Sequence, residues 1–326
     1  MRLHPPANGH LFRSSPAARS SGPFADRSRR GFLRSAAGAV IGLGTLGSHA
    51  AHSAPAASED GEPPHPNRGR IYKSVKWGMI GAGKTVLEKF QVQKELGYDG
   101  IEFISPSNYD LQELIEASRK TGLPIHGVVD MVHWRQRLSS PDPAVRERGR
   151  MALEQAIRDT YTLHGNAVLL VPGRVTGPDE NHDHVWQRSI VEIRKVLPLA
   201  AKLGVRVLIE NVWNGFCEDP QQFRDYIDEI ASPWVGVYFD IGNVRKFSPS
   251  EEWIRTLRHR IVKLDVKDWG KANGFCKIGD GDVNWPEVRK ALREIGFTGW
   301  CTAEVRGGDR ERLAEIAERM NRVLGL

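Results

Sequence analysis

Eight alternations of a short apolar run with an amphipathic helical stretch predict a single-domain α/β fold, a (β/α)8 TIM barrel. Three observations carry that prediction. The apolar runs are short and continuous, as strands buried on both faces must be. The stretches between them place apolar residues three and four apart, as at Leu313, Ile316, Ala317, Met320 and Val323. Glycines at 97, 122, 165, 204 and 296 stand where a helix gives way to the next strand. Strict alternation with short links argues a parallel sheet, and eight units argue closure over an open sheet.

In chain order, the first strand is expected over 75–81 with a helix over 86–96, and the second over 100–105 with a helix over 111–120. The third strand, 124–130, precedes a long helix over 144–163. The fourth, 167–172, precedes one over 184–203, with His182 and His184 in the polar loop between. Strands five to eight are expected over 206–212, 235–240, 261–267 and 300–305. Their helices fall over 220–230, 250–257, 285–295 and 310–324.

The barrel accounts for residues 71–326 only. Residues 28–33 read Ser-Arg-Arg-Gly-Phe-Leu, followed by an apolar Gly/Ala-rich stretch over 36–46 and small residues through Ala57. Twin arginines before a mildly apolar segment mark residues 1–57 as a twin-arginine signal peptide, so the protein is expected to be exported to the periplasm or beyond. The apolar stretch is too short for a stable membrane span. Residues 58–70, rich in Pro, Gly and charge, read as a linker. The formal charge of +6 owes much to the leader, which is rich in Arg and nearly free of acids. With no basic run interleaved with aromatics further on, a nucleic-acid partner is not expected. Cys217, Cys276 and Cys301 have no metal-site spacing and read as structural thiols.

Residues 78–85 match the phosphate-loop pattern G-x-x-x-x-G-K-[ST] literally. The pattern cradles phosphate only when a complete strand precedes it. Gly78 falls inside the first apolar run, so these glycines read as the turn from strand one into helix one.

In such barrels functional side chains sit at the C-terminal ends of strands. Strand five ends at Glu210-Asn211, strand six at Asp240 with Asn243 just beyond, strand seven at Asp265-Val-Lys267-Asp268, and strand eight at Glu304. Four carboxylates converging on one point repel one another unless protonated or neutralised. A divalent cation resolves this, and all-oxygen ligands suit Mn²⁺ or Mg²⁺.

With these motifs, together with Phe-Asp240-Ile-Gly-Asn243 and the 279–285 segment Gly-Asp-Gly-Asp-Val-Asn-Trp, the chain from about Lys76 onward resembles the xylose isomerase-like barrels. That group contains sugar isomerases and ketose 3-epimerases. The resemblance implies one divalent metal held by Glu210, Asp240, the residue at 265 and Glu304. It implies Glu210 and Glu304 as the acid/base pair, and a tendency to homo-oligomerise. The family pattern at strand seven is His-x-Lys-Asp; here Asp265 takes the histidine's place. Many members have His where this chain has Asn243, and the Asp-x-Gly-Asn variant found here resembles the pentulose-phosphate epimerase branch.

The expected activity is metal-dependent isomerisation or epimerisation of a non-phosphorylated keto sugar, by proton abstraction alpha to the carbonyl through a metal-stabilised enediolate. His126, expected to end strand three, together with Glu102, Lys267, Asn243, Trp213 and Arg306, are candidates for binding the carbohydrate. Trp134 and Trp269 also lie just past strand ends. Two other readings fit the same residues: an exported lyase or hydrolase-like enzyme on 3-keto-glycosides, and a catalytically silent sugar-binding barrel.

Overall fold

The computed structural model describes residues 67–326, so the leader and residues 58–66 of the expected linker lie outside the described residues. Eight strands close a parallel barrel: β1 (Ile71–Lys76), β2 (Gly100–Ser105), β3 (Ile125–Asp130), β4 (Ala167–Leu170), β5 (Arg206–Glu210), β6 (Val235–Asp240), β7 (Ile261–Val266) and β10 (Gly299–Ala303). They follow one another around the barrel in chain order, with β10 closing onto β1 through the pairs Ile71↔Gly299 to Val75↔Ala303. A short antiparallel hairpin, β8 (Asp268–Gly270) and β9 (Gly274–Cys276), rises beyond β7. The alternation pattern, which reads only long elements, does not show it.

Eight helices surround the barrel: α1 (Val86–Glu95), α2 (Leu111–Thr121), α3 (Pro143–Thr162), α4 (His182–Leu203), α5 (Pro220–Ile230), α6 (Ser250–Leu257), α7 (Trp285–Glu294) and α8 (Arg310–Leu324). All but α6 start with a side chain that accepts a backbone N–H of the first turn: Thr85, Asp110, Asp142, Asn181, Asp219, Asn284 and Asp309. Gly122 and Gly204 end α2 and α4 in the left-handed conformation, whereas after α3 it is His164, not Gly165, that turns left-handed. His182 and His184 belong to the first turn of α4, not to a loop.

The first strand is where the expected boundaries err most. Strand β1 starts at Ile71 and is complete by Lys76, so residues 78–85 follow a finished strand. They still form a connection: a 3-10 turn covers Trp77–Met79, and Thr85 opens α1 in a reciprocal capping box with Glu88. Just ahead of β1, Asn67 is buried and donates to the Leu324 carbonyl at 2.7 Å, which ties the chain to the base of the barrel.

Most of the core lies between strands and helices, where Phe90, Phe103, Tyr226, Phe239 and Trp253 are fully buried. Burial of each such side chain contributes roughly 1.5–3 kcal/mol. Inside the barrel Ala167, Leu169, Leu208 and Tyr238 form a separate small apolar cluster. Val129 and Val262 pack against it, and the site is built on the polar inward positions. The three cysteines are free, with Cys217 and Cys301 buried. Among the described residues no helix is long and apolar enough to cross a membrane.

Candidate metal centre and cavity

Strand register brings the acids together. Asp240 pairs in register with Asp265 across β6 and β7, Glu210 ends the neighbouring β5, and Glu304 follows β10 on the other side. One oxygen from each of Glu210, Asp240, Asp265 and Glu304 lies within 4.8 Å of the others. Asp240 and Asp265 are fully buried, and Glu304 is 30% exposed to the cavity above.

Two lysines enter the cluster. Lys76, the last residue of β1, sits in register beside Glu102 on β2. Its Nζ lies 2.8 Å from Glu102 Oε2, 3.1 Å from Asp265 Oδ2 and 3.6 Å from Glu304 Oε1. Lys267 Nζ lies 2.9 Å from Asp240 Oδ2 and 2.5 Å from Glu304 Oε2. Against the four clustered acids and Glu102, two ammonium groups leave a formal excess of three negative charges (2 − 5 = −3).

The electrostatic consequence is uneven. Burial, reinforced by the charge of Glu304, pushes the Glu210 carboxyl well above its usual range. Burial, with Glu304 and Glu102 nearby, does the same to Asp265 despite Lys76. Burial lifts Asp240 to about 6 against the pull of Lys267. Glu304 goes the other way: burial opposes its charge, but Lys76 and Lys267 outweigh it and hold the carboxyl down at about 2.

Both oxygens of Asp265, with Asp240 Oδ2 and Glu304 Oε2, are buried and lack a partner in hydrogen-bond geometry, the lysine contacts being ion pairs by distance only. Buried carboxylate oxygens without such partners are costly. They are the donor set a hard divalent cation takes.

Above the cluster opens a cavity of about 550 Å³, lined by Lys76, Glu210, Asn243, Lys267 and Glu304 at its floor and by His133, Trp134, Trp213 and Phe275 higher up. Asn243 is fixed there: its N–H donates to Asp240 Oδ1 at 2.8 Å and its Nδ2 to the Asn211 carbonyl at 3.0 Å. Trp213 donates its indole N–H to the Asn243 carbonyl at 2.7 Å.

Three expected binding residues lie elsewhere. His126 does not end strand three; it is the second residue of β3, and Asp130 ends the strand. Its ring is buried inside the barrel, 2.7 Å from Ser74 Oγ, 2.9 Å from Lys263 Nζ and stacked on Trp300. Glu102 is likewise inside β2, 1% exposed, and holds Lys76 from below without lining the cavity. Arg306 lines an adjoining cavity with Lys277 and Arg312, and that cavity shares Lys267, Phe275 and Glu304 with the first.

Among the ionisable residues lining the cavity, two escape the sequence reading. Lys76 is hidden by an expected first strand that runs past it. His133 is the histidine just past the end of β3 at Asp130, a boundary the apolar run already marks, but the sequence reading takes His126 in its place. Burial pushes His133 down to about 3, so the ring is neutral. Its Nδ1 accepts from the Val171 N–H at 3.3 Å, which leaves the proton on Nε2.

Asp268, the first residue of β8, is structural. It accepts from Gly279 N–H at 2.8 Å and from the Trp285 indole at 2.9 Å, both in the 279–285 motif. A Cβ on Gly281 would lie 2.2 Å from Asp268 Oδ1, so only glycine permits the approach. The motif thus anchors the hairpin that carries Phe275 over the cavity.

The model of the xylose isomerase-like TIM barrels matches residues 90–323, well over half of the chain. The chain belongs to this family. Among curated relatives, L-ribulose-5-phosphate 3-epimerase UlaE of Escherichia coli K12 is 24% identical over 234 residues, covering 68% of this chain and 82% of its own. Among solved structures, the D-allulose 3-epimerase of a Methylomonas species in complex with D-allulose superposes with a TM-score of 0.64 at 17% identity, over 78% of this chain and 96% of that one. The 3-keto-D-glucoside 4-epimerase YcjR of E. coli superposes at 0.65 and 16% identity, over 78% and 98%. At these identities the two structures show the shared barrel.

Proposed function

We propose that this family member is a divalent-metal-dependent sugar epimerase or isomerase acting on a non-phosphorylated keto sugar outside the cytoplasm. The observation that carries this reading is the cluster of four strand-end carboxylates, two of them lining a cavity floor and two buried beneath it, with buried oxygens that lack hydrogen-bond partners. Glu210, Asp240, Asp265 and Glu304 would hold Mn²⁺ or Mg²⁺, which supplies Lewis-acid polarisation of a substrate carbonyl. The epimerase names among its relatives support the class of reaction. The twin-arginine segment supports an unphosphorylated substrate, because sugar phosphates belong to the cytoplasm.

The chain's own groups then do the following. One of Glu210 and Glu304 removes the proton on the carbon alpha to the carbonyl, and the other delivers a proton to the opposite face. The composition of the substrate is unchanged and one centre is inverted. Lys76 and Lys267 offset part of the acid charge, and Lys267 holds the Glu304 carboxylate in place. Neutral His133 offers Nε2–H to a substrate hydroxyl, and Asn243 keeps Asp240 oriented.

The deciding experiment is elemental analysis of the purified protein beside Glu304→Gln, followed by ketose incubation in D₂O. About one Mn or Mg per chain, diminished in the variant, with solvent deuterium entering the sugar only with the wild type, is the expected result. No ion after loading with excess Mn²⁺, and no exchange, overturns the reading in favour of a silent sugar-binding barrel.

A further inference from the structure

The mouth of the cavity is larger and more apolar than one sugar ring requires. Nine large apolar side chains are more than a third exposed among the described residues, and four of them, Met131, Trp134, Trp213 and Phe275, line this one cavity. Exposed apolar groups gathered at a single concave site mark a ligand surface. A cavity of about 550 Å³ falls within the ~300–1,000 Å³ of pockets that enclose drug-sized ligands, and a lone hexose has only a dozen heavy atoms.

The four side chains form two walls. Met131 and Trp134 follow β3, and Phe275 rises beyond β7, four strands away and so on the opposite side of an eight-stranded barrel. Trp213, after β5, extends the second wall. That wall is braced: Trp213 and Phe275 stack at 4.6 Å, Lys246 Nζ lies 4.6 Å from the Trp213 ring centre, and Lys267 Nζ lies 5.1 Å from that of Phe275. The Trp213 N–H is committed to Asn243, so this wall meets a ligand with apolar surface. Trp134 is 42% exposed and touches His133 edge-on.

We propose that the mouth is a subsite for a second ring, so that the substrate is a keto-glycoside whose aglycone or second sugar lies between the Met131/Trp134 wall and the Trp213/Phe275 wall. This rests on the proposed reading of the carboxylate floor only for which ring reacts. Flat apolar rings and the C–H faces of pyranoses both gain from aromatic walls, and a free ketose would leave those walls wet.

The test is calorimetric titration of the Mn²⁺-loaded protein with glucose, methyl β-glucoside and phenyl β-glucoside, repeated on Trp134→Ala and Phe275→Ala. Phenyl β-glucoside binding about tenfold or more tighter than glucose, with the advantage lost in either variant whose circular dichroism matches wild type, is expected. Equal affinity for all three ligands overturns the proposal. So does an advantage that survives both variants, or a concentration-dependent dimer that dissociates on Trp134→Ala and shows no phenyl preference, since the walls then cover a second copy. If no keto sugar exchanges deuterium yet the phenyl advantage stands, the epimerase reading fails and the subsite remains. If free ketoses exchange and the phenyl advantage is absent, the subsite fails and the epimerase reading remains.

Discussion

Two groups of polar side chains lie in successive layers of the same barrel, two residues apart along four strands. The lower layer takes Ser74 from β1, Tyr238 from β6, Lys263 from β7 and Thr302 from β10, with His126 from β3. The upper layer takes Lys76, Asp240, Asp265 and Glu304 from the same four strands, with Glu210 from β5. Each of these five lower-layer side chains finds a partner. Lys263 Nζ meets His126 Nδ1 at 2.9 Å and donates to its carbonyl at 2.7 Å, His126 Nε2 meets Ser74 Oγ at 2.7 Å, and Tyr238 meets Thr302 at 2.8 Å. In the upper layer four carboxylate oxygens of Asp240, Asp265 and Glu304 lack such partners, beneath a cavity that Glu210 and Glu304 line. A closed, satisfied polar layer stabilises one barrel register, whereas an open layer with unmatched like charge is arranged for a ligand.

That contrast can be broken most sharply at Glu304. Glu304→Gln is expected to cut solvent-deuterium exchange into a keto sugar by about 10²–10⁴-fold while the fold persists. Full turnover would remove Glu304 from the acid/base pair.

Asp265→Asn should separate stability from ion binding. Burial and neighbouring acids hold the Asp265 carboxyl well above its usual range, so its ionised form opposes folding at neutral pH when no cation is bound. In chelator the variant should therefore melt above the wild type. With Mn²⁺ the order should reverse, because a ligand is gone. Melting curves with and without the ion read both effects, and an unchanged order would place Asp265 outside the ion's reach.

The lower layer should answer in the opposite way. His126→Ala removes a buried ring stacked on Trp300 and leaves Lys263 and Ser74 short of a partner, at a cost of about 2–4 kcal/mol. Ion content per folded chain should be unaltered. A fall in ion content at unchanged stability would return His126 to the site.

The smallest effect tests the charge of Lys263. Burial holds its amine down at about 7 from an ordinary 10.5. Between those values the unfolded chain binds a proton that the folded chain does not, so stability rises with pH across that window and is level below it. Lys263→Met should flatten the slope by up to about 1.4 kcal/mol per pH unit, read by denaturant unfolding at several pH values between them. An identical slope would mean that the buried amine keeps its proton.

The four acids could be read from sequence because each closes an apolar run, and parallel strands of similar length put their ends at one level. Helix spans were legible for a related reason: apolar spacing and side-chain caps are local, and residues 220–230, 250–257 and 310–324 are helical as expected. Errors arose where one residue decides the layer. Side chains alternate in and out along a strand, and inward positions two residues apart fall in different layers. An expected first strand running to 81 hid Lys76 at the true end of β1. Taking His126 as the end of strand three put it in the upper layer, when Asp130 ends β3 and His126 lies below.

Sequence by itself determined the eight βα units, the order of the strands and the chemistry of their ends, since these follow from periodicity and residue type. Only the tertiary structure decided which side chains share a layer, that two lysines interleave with the acids, and that Asp268 serves an anchor rather than the site. It also set Phe275 opposite Trp134 across the mouth. Those outcomes depend on strand register and on the closure of the barrel, which join residues far apart in the chain and leave no local mark on it.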